Sequence, residues 1–321
     1  MTFKYNNVYI NDYVTVTGPY EKKGPLSKYF NYSYDDLYCN SKTFEQAEIS
    51  LIKKAFQILN RNSDLFISGD LSNQLVSSSY AAKFFNIPYI GVYTACSTST
   101  LSIILASCLI DKNYIKDCIV SSSSHNCNAE KQFRYPVEYG APKKKTNTFT
   151  TTGCAMAYLS NNISNIKVES STIGNIIDMN IKDVNNMGAV MASSAAFVID
   201  KHLKDMNRSI DYYDLVLTGD LGKYGKEILK EYLEKNYNIN LCKYNDCGVM
   251  LYDNNKDVNA GASGVACLPL VSYSYIFKLM KEKKLKKVLL VATGSLHSKV
   301  MVDQKLSIPS ISHAVSLEAI W

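Results

Sequence analysis

A cysteine stands between a strand-like run and a helix-like run in GVYTACSTSTLSIILASCLI, residues 91–110. The type and place of Cys96 fit three roles: an attacking thiolate, the lining of a binding pocket, or a small buried side chain. The start of a helix lowers the pKa of a thiol, and it also offers backbone N–H groups to an anion. Both chemical roles therefore require a strand to end and a helix to begin near this residue.

Histidines are the usual proton-transfer partners of a thiolate in condensation chemistry, and the chain has four of them: His125, His202, His297 and His313. His125 ends one strand-like run and His297 follows another, where it could approach the rim of a pocket. His202 lies in the polar helical stretch DKHLKD, which predicts a surface position. His313 lies within a strand-like run, and we expect it to be packed or bonded to the backbone.

Arginine is rare in this lysine-rich chain, with only three residues of this type. Its planar guanidinium grips a carboxylate with two bonds, which lysine cannot do. Arg134 lies in the block SSHNCNAEKQFRYPVEYG, residues 123–140, and two interpretations stay open. Arg134 grips a ligand carboxylate, or it pairs with Glu130 or Glu138 to hold its own loop, which we favour.

Composition and charge limit the class of protein. With 46% hydrophobic residues the chain can form a full-sized core, and no apolar run reaches the 18 residues of a membrane span. The N-terminal residues lack a cleavable apolar segment, so we expect an intracellular protein. The nine cysteines form no CxxC pair and fit reduced thiols, with neither a disulfide framework nor a metal site. The net charge of +6 comes largely from lysine runs that we expect to face solvent and not nucleic acid.

The elements that must position these residues occur twice along the chain. DLFISGDL (64–71) matches DLVLTGDL (214–221), and KDCIVSSSSH (116–125) resembles KKVLLVATGS (286–295). A helix start rich in small residues lies between the members of each pair. Three matches in the same order indicate a duplication, and strands that alternate with helices indicate an α/β fold.

We predict two halves, residues 1–177 and 178–321, that pack as one fused unit because no flexible linker separates them. Within them, residues 43–59 and 188–206 are predicted to be helices, and Thr43 and Gln46 are placed as a capping box. Further helices are predicted over 95–111 and 261–280, and further strands over 86–93, 146–160 and 309–320.

A set of motifs runs almost from end to end of the chain: TGPYEKKGPLSKYF (17–30), SGDLSNQ (68–74), ACSTST (95–100), SSHNCNAEKQFRYPVEYG (123–140), NNMGAVMA (185–192), YDLVLTGDLG (213–222), NDCGVMLY (245–252), VATGSLHS (291–298) and IPSISHAVSLE (308–318). Together these motifs resemble the stage V sporulation protein AD family of spore-forming bacteria. The resemblance implies the fold of thiolases and ketoacyl synthases, with duplicated strand–helix layers in the order α-β-α-β-α.

The resemblance also implies a function. Members of the family have no known condensing activity and bind dipicolinic acid (pyridine-2,6-dicarboxylate), which spores accumulate as its calcium chelate. They work with other stage V sporulation A membrane proteins at the inner membrane of the forespore. We therefore expect a peripheral protein that serves dipicolinate uptake during sporulation and release in germination. A homodimer is expected by analogy with thiolase-like proteins.

The catalytic positions of thiolase relatives support this expectation. Where ketoacyl synthases resembling this fold carry a histidine, the chain reads TGDL, with Asp220 near that position. Near the second position it offers Asn259, and Cys267 stands close to where thiolases have a Gly-His-Pro. Neither position holds a histidine, so we expect no enzyme. Two alternatives remain: an acyl-CoA-dependent condensing or acyl-transfer enzyme that uses Cys96, and a purely structural subunit of a membrane assembly.

Three candidate ligand-binding residues lie at the expected carboxyl ends of strands, where ligands bind in α/β sheets. They are Cys96 at its helix start, His125 after the first-half strand and Ser295 in the corresponding second-half turn. A dicarboxylate requires N–H or O–H donors or cations for its carboxylates, and flat walls for its ring.

Three further candidates come from the resemblance alone: Asp178, Asn186 and Met187. The alternative for Asp178 is a turn or helix-cap role, and the alternative for Met187 is the core. Because a carboxylate repels a dianion, Asp178 would suit a ligand that arrives with Ca²⁺, which prefers oxygen ligands. No resident cofactor is expected.

Overall fold

The computed structural model describes residues 1–133, 143–252 and 258–321. The strands are Thr2–Lys4 (β1), Tyr9–Thr17 (β2), Tyr32–Ser33 (β3), Leu65–Gly69 (β4), Tyr89–Gly91 (β5), Asp117–Ser124 (β6), Phe149–Thr150 (β7), Gly153–Ser160 (β8), Ile166–Ile173 (β9), Leu215–Thr218 (β10), Tyr244–Asp246 (β11), Ala262–Ser263 (β12), Lys287–Ser295 (β13) and Ser310–Ala319 (β14). The helices are Pro19–Lys22 (α1), Phe44–Leu59 (α2), Val76–Ala82 (α3), Thr98–Asp111 (α4), Asn126–Phe133 (α5), Met187–Met206 (α6), Gly222–Tyr237 (α7), Cys247–Leu251 (α8), Cys267–Val271 (α9), Phe277–Lys281 (α10) and Lys299–Asp303 (α11).

Two sheets have the same strand order and the same strand directions. The first runs β5-β4-β6-β8-β2 and the second runs β11-β10-β13-β14-β9. In each sheet the first three strands are parallel and the last two pair antiparallel. A short antiparallel pairing of Tyr9 and Ile10 with Lys167 and Ile166 joins β2 to β9 and so links the sheets. The predicted duplication is therefore visible strand by strand.

Helices cover both faces of each sheet and give five layers. Helices α2 and α3 pack on the outer face of the first sheet, and α6 and α7 pack on the outer face of the second. Between the sheets lie α4 and the run from α9 to α10, and the largest apolar cluster surrounds them. This arrangement confirms the predicted α/β class with α-β-α-β-α layers. None of the helices in the described ranges has the length and apolar character that a bilayer crossing requires.

β9, Ile166–Ile173, belongs to the second sheet, although it precedes residue 178. By sheet membership, β8 is the last strand of the first sheet and β9 is the first strand of the second. The division of the chain into residues 1–177 and 178–321 stays a prediction.

The predicted helices form, with local differences. Thr43 caps α2 by accepting from the N–H of Gln46 (3.3 Å), whereas the Gln46 side chain accepts from Lys42 and not from Thr43. The predicted helix over 261–280 starts later, at Cys267, because Ala262 and Ser263 pair as β12 with β7. It then continues through a π-helical turn, Ser272–Ile276, into α10.

The predicted strands also differ in extent. Only Tyr89–Gly91 of residues 86–93 is a strand, because the chain then turns towards Cys96. Residues 146–160 divide into β7 and β8, since Phe149 and Thr150 leave the main sheet to pair with β12.

His202 is a correction to the sequence analysis, since it is fully buried and not on the surface. Its Nδ1 lies 2.7 Å from Thr172 Oγ1 and its Nε2 lies 2.7 Å from Tyr213 Oη. The charged neighbours in DKHLKD concealed the fact that this position faces inward on α6, beside the buried Leu203.

A cluster around Glu169 ties the second sheet together. Arg208 donates to both oxygens of this carboxylate (2.8 and 3.0 Å), Tyr212 donates to one (2.8 Å) and Ser316 to the other (2.9 Å). Burial by itself raises the pKa of Glu169. The hydrogen bonds and the nearby Lys287 outweigh burial and lower the pKa to about 2. The loop after α6 is thereby fixed to β9 and β14.

Candidate functional site

The turn that carries Cys96 is built from a strained backbone. Ala95 has a φ of 49°, the left-handed region that costs an L-residue roughly 1–2 kcal/mol. The Thr94 N–H bonds to Thr98 Oγ1 (2.9 Å), and Ser97 Oγ donates to the Thr94 carbonyl (2.6 Å). These bonds hold Cys96 at the start of α4. A strained residue held by its surroundings at such a point is a signal of a functional site.

Cys96 lines a cavity formed by both halves, hereafter the central cavity. Its empty volume, counting the space open to solvent, is about 570 Å³. The apolar lining residues are Leu71, Tyr93, Ala95, Ala129, Phe133, Met187 and Met191. The others are Cys96, Thr148, Thr150, Asp220, Ser263, Gly264, Ser295 and His297. The described lining thus combines aromatic and methionine side chains with hydroxyl groups, a thiol, an imidazole and one carboxyl group.

Asp220 is the acidic member of the described lining, and it is buried. Thr293 Oγ1 donates to its Oδ1, and the backbone N–H of Gly264 donates to its Oδ2 (3.2 Å). Burial raises the pKa of Asp220, and the charge of Asp246 raises it as well. The hydrogen bonds from Thr293 and Cys96 lower it, and the resulting pKa is about 7. Asp220 therefore changes its protonation state near neutral pH.

Three of the predicted ligand-binding residues meet at the central cavity: Cys96, Ser295 and Met187. Ser295 lies at the end of β13 and directs its hydroxyl to the Met187 sulfur (3.1 Å). Met187 is the first residue of α6, which brings the second-half helix layer to the cavity. His297 reaches the rim as its place after β13 predicted, with its ring centroid 5.9 Å from that of Phe133.

His125 does not line the central cavity, contrary to the expectation. It is buried, its Nε2 donates to the Leu37 carbonyl (2.7 Å), and its ring stacks on Phe44. Burial lowers its pKa to about 4, so the ring is neutral at physiological pH. It adjoins a separate small hollow with Glu48 and Asn128. The end of β6 was located correctly, but the side chain there faces the α2 side of the sheet.

Asp178 and Asn186 are also outside the described lining of the central cavity. Asp178 is exposed and accepts from Ser307 (2.6 Å), and this hydrogen bond lowers its pKa. It lines a surface hollow with Met301 and Leu306, because the backbone around Ile177 is bonded to Ser310 at the surface. Asn186 caps α6 by accepting from the Ala189 N–H (3.3 Å).

Several residues of the central cavity were missed by sequence reasoning. Tyr93, Thr148, Thr150 and Met191 carried no signal of their own, because only the paired strands β7 and β12 and the packing of α6 bring them together. Asp220 was noticed as an occupied catalytic position but not as a ligand-binding residue. Arg134 lies outside the described residues. Within those residues, no group of three or more His, Cys, Asp or Glu side chains could hold a metal ion.

Solved structures of OleA and of 3-oxoacyl-(acyl carrier protein) synthase III share this architecture. A variant of OleA from Xanthomonas campestris gives a TM-score of 0.60 at 12% identity and covers 98% of this chain and 99% of its own. The 3-oxoacyl-(acyl carrier protein) synthase III, FabH, from Pseudomonas aeruginosa PAO1 gives a TM-score of 0.58 at 7% identity, with 98% and 99% covered. At such identities the likeness concerns the fold alone, and it defines a thiolase-like protein.

The sequence comparisons are more specific. The family model described as Stage V sporulation protein AD (SpoVAD) matches residues 1–318. Stage V sporulation protein AD of Bacillus subtilis (strain 168) is 43% identical over 319 residues, which covers 97% of this chain and 94% of that protein. The chain belongs to the stage V sporulation protein AD family, and the resemblance found in the motifs is confirmed.

Proposed function

We propose that this sporulation protein binds dipicolinic acid in the central cavity and does not catalyse a reaction. The observation that carries the proposal is the cavity itself. It lies between the two halves and joins the start of α4 to flat side chains and several hydroxyl groups. A planar ring with two carboxylates requires this combination of walls and donors.

The ring and the carboxylates have separate candidate contacts. Tyr93 and Phe133 provide aromatic surface, and Met187 and Met191 provide polarisable apolar surface. Hydroxyl donors come from threonine and serine side chains of the lining, among them Ser295 at the end of β13. Cys96 directly precedes the start of α4, so the positive end of this helix dipole lies beside the cavity.

The charge of the cavity bears on how the ligand enters. Among its described lining residues there is no lysine or arginine, and Asp220 adds a carboxyl group. A dicarboxylate bound there depends on neutral donors, on His297, or on a calcium ion that arrives with the ligand. The calcium chelate is therefore part of the proposal as a form of the ligand, with the ligand's own oxygen atoms holding much of the ion.

The second part of the proposal is that the protein does not catalyse a reaction. Thiolase relatives activate their cysteine with histidines, whereas Asp220 occupies one of the corresponding positions here. The Asp220 carboxyl group accepts hydrogen bonds from Thr293, Gly264 and Cys96. Without an imidazole at that position, Cys96 lacks the proton-transfer partner that condensation chemistry usually employs.

The biological role follows from the family. We propose that the protein works with other stage V sporulation A membrane proteins at the inner membrane of the forespore, in dipicolinate uptake during sporulation and release in germination. A homodimer is part of the proposal. The dimer would form along β5, which is an edge strand of the first sheet. Ile90 on this strand is exposed, and so are Phe84 and Tyr93 close to it in the chain, so this edge presents apolar surface to a partner.

Calorimetric titration with dipicolinate, with and without one equivalent of Ca²⁺, tests the binding proposal. Ser295→Phe places a large ring in the central cavity and is expected to weaken binding at least tenfold. Ser209→Phe, at an exposed serine, is the matched control and should bind like the unmodified protein. Asp178→Ala separates the surface hollow from the central cavity and should also bind normally.

Two results would contradict the proposal. One is the absence of heat and of a thermal shift at millimolar ligand with and without Ca²⁺. The other is loss of binding in Asp178→Ala with normal binding in Ser295→Phe, which would move the site to the surface hollow.

An acyl-transfer function is the second candidate, and the strained turn at Cys96 is the observation that favours it. Incubation with acyl-CoA followed by intact mass measurement tests it directly. Acylation that disappears in Cys96→Ser would establish a reactive thiol and would refute the non-catalytic proposal.

A further inference from the structure

Asp220 poses a problem for any anion that enters the central cavity. Its carboxyl group is buried and lines the cavity, while both of its oxygens already accept hydrogen bonds from Thr293 and Gly264. An ionised Asp220 would repel a ligand carboxylate at short range, in a place with little solvent to screen the charges. A protonated Asp220 would instead donate a hydrogen bond to it.

The hydrogen bonds to Asp220 favour its ionised form, whereas burial and the charge of Asp246 favour the protonated form, and the charge of a ligand carboxylate would add to the second effect. Cys96 faces Asp220 from the start of α4, Cys247 from α8, Cys267 from α9 and Asp246 from the end of β11. His297 lies on the rim of the same cavity. Asp246 is itself buried and held by Thr218 and by the N–H groups of Leu221 and Gly222, so it adds negative charge or shares a proton, and it offers no compensating cation.

We propose that Asp220 takes up a proton when a dicarboxylate binds and donates it as a hydrogen bond to one ligand carboxylate. The inference rests on the proposed dipicolinate site and adds a specificity-determining residue to it. Asp220 then selects ligands that present a hydrogen-bond acceptor at this point of the cavity. The proton comes from solvent, and no covalent bond forms or breaks.

The size of the effect follows from the protonation of the empty protein. Because the pKa of Asp220 is about 7, roughly a tenth of the empty protein is protonated at this residue at pH 8 and roughly nine tenths at pH 6. If the bound form is protonated, binding takes up nearly one proton at pH 8 and about a tenth of one at pH 6. The Kd is then nearly constant below pH 6, rises about twofold from pH 6 to pH 7 and about fivefold from pH 7 to pH 8.

The experiment is a calorimetric titration of calcium-free dipicolinate into the metal-free protein at pH 6, 7 and 8. Each pH is measured in two buffers with different ionisation enthalpies, which gives the number of protons taken up. The unmodified protein should follow the values above. Asp220→Asn keeps an N–H donor in place without a titratable group, and it should show no proton uptake and no dependence of Kd on pH.

Two variants serve as controls. His297→Gln removes the imidazole from the described lining and should keep the uptake, since the proton goes to Asp220. Asp35→Asn makes the same chemical change at an exposed carboxylate and should behave like the unmodified protein.

The outcomes separate the inference from the proposal on which it rests. Binding without proton uptake at pH 8, or uptake that survives in Asp220→Asn, overturns the role of Asp220 but leaves the dipicolinate site standing. Uptake that disappears only in His297→Gln assigns the proton to the imidazole and also overturns it. No binding of calcium-free dipicolinate at any of the three pH values overturns the inference, and it refutes the proposed site as well when the calcium chelate also fails to bind. Since the proton count is measured on the unmodified protein, the test does not depend on the folding of a variant.

Discussion

The contact between α6 and α7 leads to a prediction about Gly225→Ala. At the crossing of these helices, an added Cβ on Gly225 would lie 2.6 Å from the Cα of Gly188 and 2.9 Å from its carbonyl carbon and oxygen. All three are backbone atoms, so they cannot rotate away as a side chain could. The helices must separate to admit the methyl group.

Two opposing contributions decide the sign of the change in stability. Alanine is favoured over glycine inside a helix by about 1 kcal/mol. Forcing an extra carbon into packed structure costs about 1–3 kcal/mol, and a contact of backbone with backbone belongs at the upper end of that range. We therefore expect Gly225→Ala to lower the free energy of unfolding by about 1–2 kcal/mol, and the Tm by roughly 2–4 °C in a chain of this size.

The same substitution should reach the central cavity. Gly188 lies next to Met187, and Met191 follows one turn later, so α6 carries part of the cavity wall to the crossing point. A shift of α6 should therefore weaken dipicolinate binding along with stability.

Denaturant and thermal unfolding of the variant measure the stability, and calorimetry measures the binding. Lys223→Ala, at an exposed position of the same helix, is the control and should change stability by less than about 0.5 kcal/mol. If Gly225→Ala proves as stable as the unmodified protein, the helices can separate without cost, and the argument from close packing fails.

Two further predictions concern the Glu169 cluster and the β5 edge. The pKa of Glu169 is about 2 in the folded protein and near 4.5 in the unfolded chain, so its stabilisation is present above about pH 4.5 and is lost as the pH falls towards 2. Allowing for partial solvent screening, Glu169→Gln should lower the free energy of unfolding by about 2 kcal/mol at pH 7. In denaturant unfolding, the difference in this free energy between the variant and the unmodified protein should shrink between pH 5 and pH 3. A difference that stays constant with pH would contradict this. Ile90→Lys on β5 should convert the proposed dimer to a monomer in sedimentation experiments. Ile163→Lys, at another exposed isoleucine, is the control and should leave the dimer intact. An unmodified protein that is monomeric at tens of micromolar would refute the proposed dimer.

The features predicted from the sequence were those that the duplication repeats. DLFISGDL and DLVLTGDL became β4 and β10, and the matching pair became β6 and β13 at the same places in their sheets. Turn chemistry and helix starts are local, so Cys96 and Ser295 could be predicted to lie near one another once the strand ends were located, whereas Met187 came from the resemblance. Asp178, chosen only by resemblance, lies at the surface.

The errors arose where the direction of a side chain decides its surroundings. His202 has charged neighbours in sequence but faces the second sheet, because successive helical residues point in directions about 100° apart. His125 lies at the expected strand end, yet its ring turns to Leu37 and Phe44, which lie far earlier in the chain. Neither direction follows from spacing alone. It depends on which long-range partner packs against the element.

The position of β14 has a consequence for the order of events during synthesis. β14 lies between β13 and β9, so the second sheet cannot close until Ser310–Ala319 have been made, long after β9. The first sheet, in contrast, is complete once β8 has emerged. In the interval β9 is already held by β1 and β2 on one side but has a bare edge on the other, which is open to pairing with another chain. The nascent protein therefore combines a finished half with an unfinished one, and its exposure to aggregation is set by the time taken to translate the second half.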